Sequence, residues 1–367
     1  MCFLTNNMQW VFPNVHPQYT VCLTVVERGA DHVVRFAGPF FSQSEFVSGA
    51  ATTAEVPAEE FGSWSETAAF PLIPGTAAAQ VLRTMMLAGV FRNTPPDVDL
   101  ALIQGDLNAT KDKPVLEFDV EESRGRIPVG TGASFNIWNP DAGVPYAYSP
   151  PVDVLRPYLR RKFERAARTS RSAYSGMTLP EGRLQLDQAR IVYRGIARAT
   201  DTRTSIPCLA PPGRAIVDPA HMVVTRRGSA RHEAFLLGVM ASIPFDWSAR
   251  RWVELHLTFG ILTRLPVPWS KFESSIAGRT VVIAGRLAAI DERYKTWAEE
   301  VGVEVATAND EPTKTELVAE LDALVSLLYG LTPDQVEHVF ATFHRGWDYA
   351  ARLERVLAYY EQWKDAT

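Results

Sequence analysis

Hydrophobic and polar positions follow two different periods along this chain. Before about residue 270, short runs of β-branched and aromatic residues alternate with clusters of Gly, Pro and Asp, which predicts short strands joined by turns. Helices are expected among them at Thr76–Val90, Val152–Arg171 and, with a kink at Pro244, Glu233–Glu254. After Glu273, apolar residues recur at three- and four-residue spacing, as at Leu317, Leu321 and Leu324, which predicts helices. The expected fold class is α+β, with small mixed sheets followed by a mostly helical C-terminal extension.

Three segments follow from these changes in pattern. We predict an N-terminal α/β segment over residues 1–90, a mixed domain with a basic helix over residues 91–270, and a helical domain over residues 271–367. In the last segment, Thr332 and Pro333 are typical of a helix start, because the threonine caps and the proline needs no backbone N–H there. The pattern predicts one helix from this point to about residue 363.

The stretch from Arg190 to Thr204 reads RIVYRGIARATDTRT and combines a predicted strand with a polar loop. Two residue types alternate in the polar part: Arg194, Arg198 and Arg203 with Thr200, Thr202 and Thr204. Arginine forks and threonine hydroxyls both suit phosphate oxygens and base edges. A solvated strand and turn with surface arginines explains the same pattern, so the residues alone leave both interpretations open.

A second basic element is predicted as a helix from Val152 to Arg171. Leu155 and Leu159 lie on its apolar side. The other sides carry a cluster of cationic residues: Arg160, Arg161, Lys162, Arg165 and Arg168. This cluster is either a solvated face or a surface that contacts phosphates.

The distribution of charge indicates a polyanionic partner for the middle of the chain. The formal net charge is −5, yet residues 156–264 hold 19 Lys or Arg against 8 Asp or Glu. The remainder holds 18 basic and 34 acidic residues. Because 18 of the 19 central cations are arginine, recognition is favoured over mere solubility.

Two further segments carry polar groups that bear on binding. Asp106 and Asn108 belong to an alternating polar row that would ligate a metal, accept hydrogen bonds from cytosine amino groups, or pair with arginines. No Asp/Glu-x-Lys triplet lies where a nuclease centre requires one, so metal-dependent cleavage is not expected. The glycine-rich segment from Arg126 to Pro140, which contains Asn136, is expected to be a plain turn or a loop whose backbone a ligand can approach.

The overall composition excludes several other classes of protein. With 46% hydrophobic and 10% aromatic residues, the chain is expected to fold. Cys2, Cys22 and Cys208 are odd in number and far apart, so neither a disulfide scaffold nor a zinc site is expected. No apolar run approaches the ~20 residues that span a membrane, and no signal-peptide pattern begins the chain. We therefore expect a cytoplasmic protein without a membrane partner.

Four segments, taken in order, resemble a known family. They read DLNATKDK, IPVGTGASFNIWNP, IVYRGIARATDTRTSIPCLAPPG and LLGVMASIPFDWSARRWVELHLTFGILTRLPVPW. This order resembles the C-terminal part of large adenine-specific DNA methyltransferases, namely the type IIG restriction–modification enzymes and the BREX-type phage-defence enzymes. The resemblance extends from about Asp99 to the end. It implies that residues 91–270 form a target recognition domain that binds double-stranded DNA.

The catalytic motif of that family is absent in its usual form. The family motif is Asn/Asp-Pro-Pro-Tyr/Phe, which holds a flipped adenine. Here the segment from Asn93 to Asp97 reads NTPPD, with an inserted threonine and an aspartate in place of the stacking aromatic residue. No cofactor motif precedes it. The resemblance therefore implies a specificity module without catalytic residues or a cofactor of its own, which serves a methyltransferase subunit or domain that carries S-adenosylmethionine.

The resemblance also implies which residues contact DNA: Arg194, Arg198, Thr200, Arg203, Thr204, Arg250, Arg160, Arg161, Lys162, Asp106, Asn108 and Asn136. Two other interpretations stay open. One is an intact restriction–modification enzyme whose catalytic residues depart from the known motif. The other is a helical scaffold protein of a defence complex, in which the arginines form ion pairs within or between proteins.

Overall fold

The computed structural model describes residues 1–17, 19–28, 32–49, 54–64, 69–118, 125–179, 183–344 and 346–366. Within them the strands are β1 Cys2–Thr5, β2 Thr20–Leu23, β3 Val33–Phe40, β4 Ala54–Pro57, β5 Asp99–Gln104, β6 Pro128–Gly130, β7 Ala147–Tyr148, β8 Arg190–Arg194, β9 Pro207–Ala210, β10 Ala215–Ile216 and β11 Ala220–Arg227. The helices are α1 Gln43–Ser48, α2 Ala58–Trp64, α3 Thr76–Leu87, α4 Val152–Ala167, α5 Ala230–Ala241, α6 Ile243–Ala249, α7 Phe259–Leu262, α8 Ser275–Ala288, α9 Lys295–Val301, α10 Glu311–Tyr329, α11 Pro333–Ala341 and α12 Ala350–Trp363. The fold is α+β, so the predicted class is confirmed.

The strands form three small sheets. The N-terminal sheet has the order β2-β1-β3-β4, in which only the β1–β3 pair is parallel. The central sheet is antiparallel, with the order β5-β11-β8-β9. A short third sheet, β10-β6-β7, lies beside it. Since β6 ends at Gly130 and β10 returns toward β11, this third sheet brings the glycine-rich segment alongside the central sheet.

The central sheet is covered by helices that are apolar on most sides. Every residue of α6, and all but two of α5, is buried. α8 packs on α5, α10 packs on α6 and α8, and α12 packs on the outside of α10. The largest hydrophobic core joins Phe36 of β3, Leu236 of α5 and Leu324 of α10, each fully buried. The helical C-terminal part is therefore packed on the same core as the sheets, while the boundaries at 90 and 270 stay a prediction.

The C-terminal helices agree with the sequence pattern at their starts but not at their ends. Thr332 Oγ accepts from Gln335 N at 3.3 Å, and Gln335 Oε1 accepts from Thr332 N at 3.0 Å, so the predicted cap is confirmed. The single helix predicted beyond it is wrong, because residues 342–349 separate α11 from α12. In the part of the chain that the structure describes, no helix combines the length and apolarity that crossing a membrane requires.

Candidate nucleic-acid interface

The strand predicted in the stretch from Arg190 to Thr204 is β8. Residues 195–206, which include the polar part of that stretch, connect β8 to β9. Within this connection, residues 198–204 form a closed turn, which we call the anchored loop. Thr204 Oγ donates to Arg198 O at 2.7 Å, and Arg198 N donates to Asp201 Oδ2 at 3.0 Å. These bonds tie the start of the loop to its middle and to its end.

A buried arginine holds the anchored loop from beneath. Arg250 follows α6 and is only 4% exposed. Its guanidinium donates to three loop carbonyls, at 2.8 Å from Ala199 O and at 2.7 Å from Asp201 O and Thr202 O. Burial lowers the pKa of Arg250, while the Asp246 carboxylate, 3.4 Å away, favours its charged form. Because one rigid fork binds three carbonyls, the loop backbone has little freedom to move.

Arg203 also fixes the anchored loop, through the Asp246 carboxylate and a backbone carbonyl. Arg203 Nε lies 2.5 Å from Asp246 Oδ2, and Arg203 Nη2 donates to Ala241 O at 2.6 Å. Thr204 N donates to both oxygens of the fully buried Asp246 at 3.1 Å. Thr204 and Arg250 are buried and the Arg203 side chain is 15% exposed, so this packing does not favour the expected contact of the three residues with DNA. Their partners lie inside the protein, and they support the loop instead.

The side chains at the tip of the anchored loop face solvent. Arg198, Thr200 and Thr202 are exposed, so two of the predicted contacts, Arg198 and Thr200, lie at the surface. The C-terminal part also reaches this loop, because His344 Nε2 is 3.0 Å from Thr200 O. A loop held on several sides can present a guanidinium and two hydroxyls without first having to become ordered.

Arg194, the last residue of β8, contacts the glycine-rich segment. Its Nη2 donates to Phe135 O at 2.5 Å, and its guanidinium carbon is 6.0 Å from the centre of the Phe135 ring. Burial lowers the pKa of Arg194. A Cβ on Gly132 would lie 3.4 Å from the Arg194 side chain, which is ordinary van der Waals contact. Asn136, the neighbour of Phe135 in sequence, is exposed.

The predicted basic helix is α4, and its cations fall into two groups. Arg160 Nη2 donates to Arg183 O at 3.1 Å, and Lys162 Nζ lies 2.5 Å from Asp112 Oδ2. The exposed cations of the helix and its C-terminal end are Arg161, Arg165 and Arg168. Of the three residues expected to contact phosphates, Arg161 is fully available, whereas Arg160 and Lys162 are partly engaged.

The predicted polar side chains at Asp106 and Asn108 form hydrogen bonds with other residues of the protein. Asp106 Oδ2 accepts from Arg190 Nη2 at 2.6 Å and from Ile216 N at 2.8 Å, and its side chain is 6% exposed. Asn108 Nδ2 donates to Asp218 Oδ2 at 2.9 Å. Of the roles left open for Asp106, pairing with an arginine is the one seen. Direct base contact by Asp106 conflicts with its burial.

Asp106, Asn108 and Lys162 line one cleft of about 260 Å³ between the end of β5 and α4. Burial alone would raise the pKa of Asp112 in this cleft, but hydrogen bonds from Lys162 and Tyr158 hold it below its usual range. Among the described residues, no three His, Cys, Asp or Glu side chains are grouped to hold a metal ion. The cleft therefore contains ion pairs rather than a metal-ligand set.

The segment that departs from the family's catalytic motif is a turn before β5. Val98 N donates to Pro95 O at 3.0 Å, which closes the turn. Asp97, in the place of the stacking aromatic residue, has its Oδ2 3.8 Å from His232 Nε2. The segment therefore forms a turn that leads into β5. It carries Asp97 at the position where the methyltransferase motif has the aromatic residue that stacks on the flipped base.

Phe343 and Trp347, which lie in a region predicted to be helical, also belong to the site. Phe343 lies under Arg250, with 4.2 Å from the guanidinium carbon to the ring centre. Trp347 of the same segment is exposed. Gly346 interrupts the helical pattern here and was the available signal for a break, since glycine disfavours helix interiors.

No protein-family model and no curated protein matches the sequence. Among solved structures, the chain is similar to the Type IIL restriction–modification enzyme MmeI in complex with DNA, at 14% sequence identity and a TM-score of 0.35. The match covers 75% of this chain and 37% of that one, so the chain spans little more than a third of the enzyme's length. A likeness at this level does not establish a shared fold or activity.

Proposed function

We propose that this chain recognises a DNA sequence on behalf of an adenine-specific DNA methyltransferase in a restriction–modification or phage-defence system. The observation that carries the proposal is the anchored loop. Its carbonyls are bound by a buried arginine, while Arg198, Thr200 and Thr202 are presented to solvent. This arrangement suits recognition, because a preorganised loop loses little conformational entropy when it binds.

In the proposed complex the exposed polar groups have different tasks. Arg198 donates two hydrogen bonds to a guanine edge in the major groove, which is the commonest specific arginine contact. The threonine hydroxyls and Asn136 supply adaptable donors and acceptors beside it. Arg161 and Arg165 of α4, and Arg168 just after its end, hold phosphates, which adds affinity but no sequence preference. Arg203 and the buried Arg250 act only through the loop that they support.

Methyl transfer is assigned to another chain or domain. The resemblance to the C-terminal part of adenine methyltransferases supports this division, and so does the turn that replaces the catalytic motif. S-adenosylmethionine would bind to that partner, which extracts the adenine. The role of this chain is to place the partner on a particular sequence.

Selection from a library of random duplexes tests the proposal. The purified chain, alone and with any methyltransferase encoded beside it, is mixed with the library at moderate salt, and the bound DNA is sequenced. Enrichment of one short motif is expected. Retention of DNA without an enriched motif would reduce the role to non-specific binding, and no retention in either arm would refute the proposal.

A second candidate function is a scaffold within a defence complex. The observation that favours it is the internal pairing of several arginines, for example Arg190 with Asp106 and Arg214 with Asp141. A scaffold would bind protein partners and would show no salt-dependent affinity for DNA. The same library experiment therefore separates the two candidates.

A further inference from the structure

The segment between α11 and α12 is fastened to the underside of the anchored loop. The Phe343 ring centre is 4.2 Å from the Arg250 guanidinium carbon and 5.8 Å from that of Arg203. Tyr349 packs edge-on against Phe343, at 5.4 Å between ring centres. The same two arginines that support the loop thus also fix the position of this segment.

One aromatic side chain of the segment is left open to solvent beside the loop. Trp347 is 55% exposed, more than any other aromatic side chain in the described part of the chain. Its ring centre is 6.0 Å from that of His344, which in turn contacts the carbonyl of Thr200 at the loop tip. On its other side the indole stacks on Tyr349, at 6.3 Å and 25° between the planes.

We propose that Trp347 is a stacking residue for DNA, and the inference rests on the proposed function of the anchored loop. The indole lies against a deoxyribose, or against a base step that bending of the duplex has unstacked, beside the position read by Arg198. Two features of the anchored loop support this occupant over a protein partner: the loop carries an exposed cation, Arg198, and exposed hydroxyls, and both suit a nucleic acid. A ring held by Tyr349 and His344 is also already oriented for stacking.

The proposal changes the role of the C-terminal helices. The acidic side chains of the C-terminal helical region would repel the phosphates of DNA. Trp347 instead contributes a neutral aromatic face, whose attraction for bases depends little on sequence. It would strengthen binding next to the arginine that supplies sequence preference.

The test uses the full-length chain and a pool of mixed-sequence duplexes at several salt concentrations. We expect Trp347→Ala to raise the Kd roughly tenfold with no change in the salt dependence, because stacking releases no counterions. Trp347→Phe should keep most of the affinity, since a ring remains. Phe41→Ala, which removes a 48% exposed ring at the end of the N-terminal sheet, is the control and should bind as wild type.

Fluorescence of the wild-type chain tests the same contact without relying on a variant that could be misfolded. The difference in emission between wild type and Trp347→Phe isolates this indole, and we expect DNA to quench it. Unchanged affinity of Trp347→Ala, with weakened Arg198→Ala, would overturn the stacking role and leave the proposed function intact. Absence of quenching, or quenching by a protein partner but not by DNA, would also overturn it. Failure of the wild-type chain to bind any duplex, both alone and with a methyltransferase encoded beside it, would remove both proposals.

Discussion

Burial separates the arginines around the anchored loop into two groups with different physical roles. Arg203 and Arg250 share the fully buried carboxylate of Asp246, so each charge there is compensated by the others. Arg198 has its side chain in solvent and is free to exchange water for a ligand. The sequence groups these arginines as candidate DNA contacts. It does not show that Arg203 pairs with Asp246, because the two residues are 43 positions apart.

Replacing either kind of arginine should affect stability very differently. Arg203→Met leaves Asp246 with one fewer cation in a buried site, and we expect it to lower the free energy of unfolding by about 3–5 kcal/mol. Arg198→Met, the matched control, should change it by less than about 0.5 kcal/mol. Urea titrations of both variants give the two values. Equal stability of the two would mean that the internal ion pair does not support the loop.

The Asp112 carboxylate should make the cleft below α4 sensitive to acid. Its folded-state pKa is below the ordinary 3.8, so its stabilising effect is complete above that value and disappears as the pH falls through the lowered pKa. We expect Asp112→Asn to cost about 1–2 kcal/mol at neutral pH. The difference in Tm from wild type should shrink below about pH 4. Asp153→Asn, an exposed carboxylate on α4, should show little difference at any pH, and a constant difference for Asp112→Asn would contradict the assignment.

At the level of elements, the local signals were predictable and the long-range contacts were not. The strand at β8, the basic helix α4 and the cap at Thr332 each follow from neighbouring residues. The anchored loop depends on a donor about 50 positions away, and its backbone carbonyls carry no sequence signature. The sequence therefore indicated where a recognition loop could lie, but not which of its residues face outward.

Gly195, between β8 and the anchored loop, is a position where only the smallest residue fits. A Cβ there would overlap the His221 ring and lie 2.6 Å from the carbonyl oxygen of Pro219. We expect Gly195→Ala to lower the free energy of unfolding by about 1–3 kcal/mol. Gly278→Ala in α8, where a Cβ would meet nothing within 4 Å, should be neutral or stabilising. Thermal unfolding of both compares them, and equal Tm values would show that the loop start is not tightly packed.

At the level of the whole molecule, the sheets and the C-terminal helices share one core. Phe36, Phe235 and Leu324 come from all three predicted segments and belong to the same hydrophobic cluster. Removing residues 271–367 would therefore expose the apolar side of the central helices, and truncation is a poor way to assign roles to the tail. Helical spacing predicted that these helices have apolar faces, but spacing does not say against what they pack.

The chain by itself should not methylate DNA. The segment from Asn93 to Asp97 forms a turn with an aspartate where a flipped base needs an aromatic ring. We expect no incorporation of label from S-adenosylmethionine into mixed-sequence DNA above a protein-free blank. When the partner methyltransferase is added, label should be incorporated into the DNA. Clear methylation by the purified chain would instead support an intact enzyme with a different catalytic set.

The most direct test of the account compares an arginine expected to read a base with one expected to hold a phosphate. Wild type, Arg198→Ala and Arg165→Ala are titrated with the selected duplex, its single-base variants and a scrambled duplex at several salt concentrations. Arg198→Ala should lose about 1–3 kcal/mol of discrimination at one base pair. Arg165→Ala should weaken binding to every duplex alike and make the salt dependence shallower by about one unit. If both variants lose the same affinity for all duplexes, or neither loses any, the anchored loop does not read DNA.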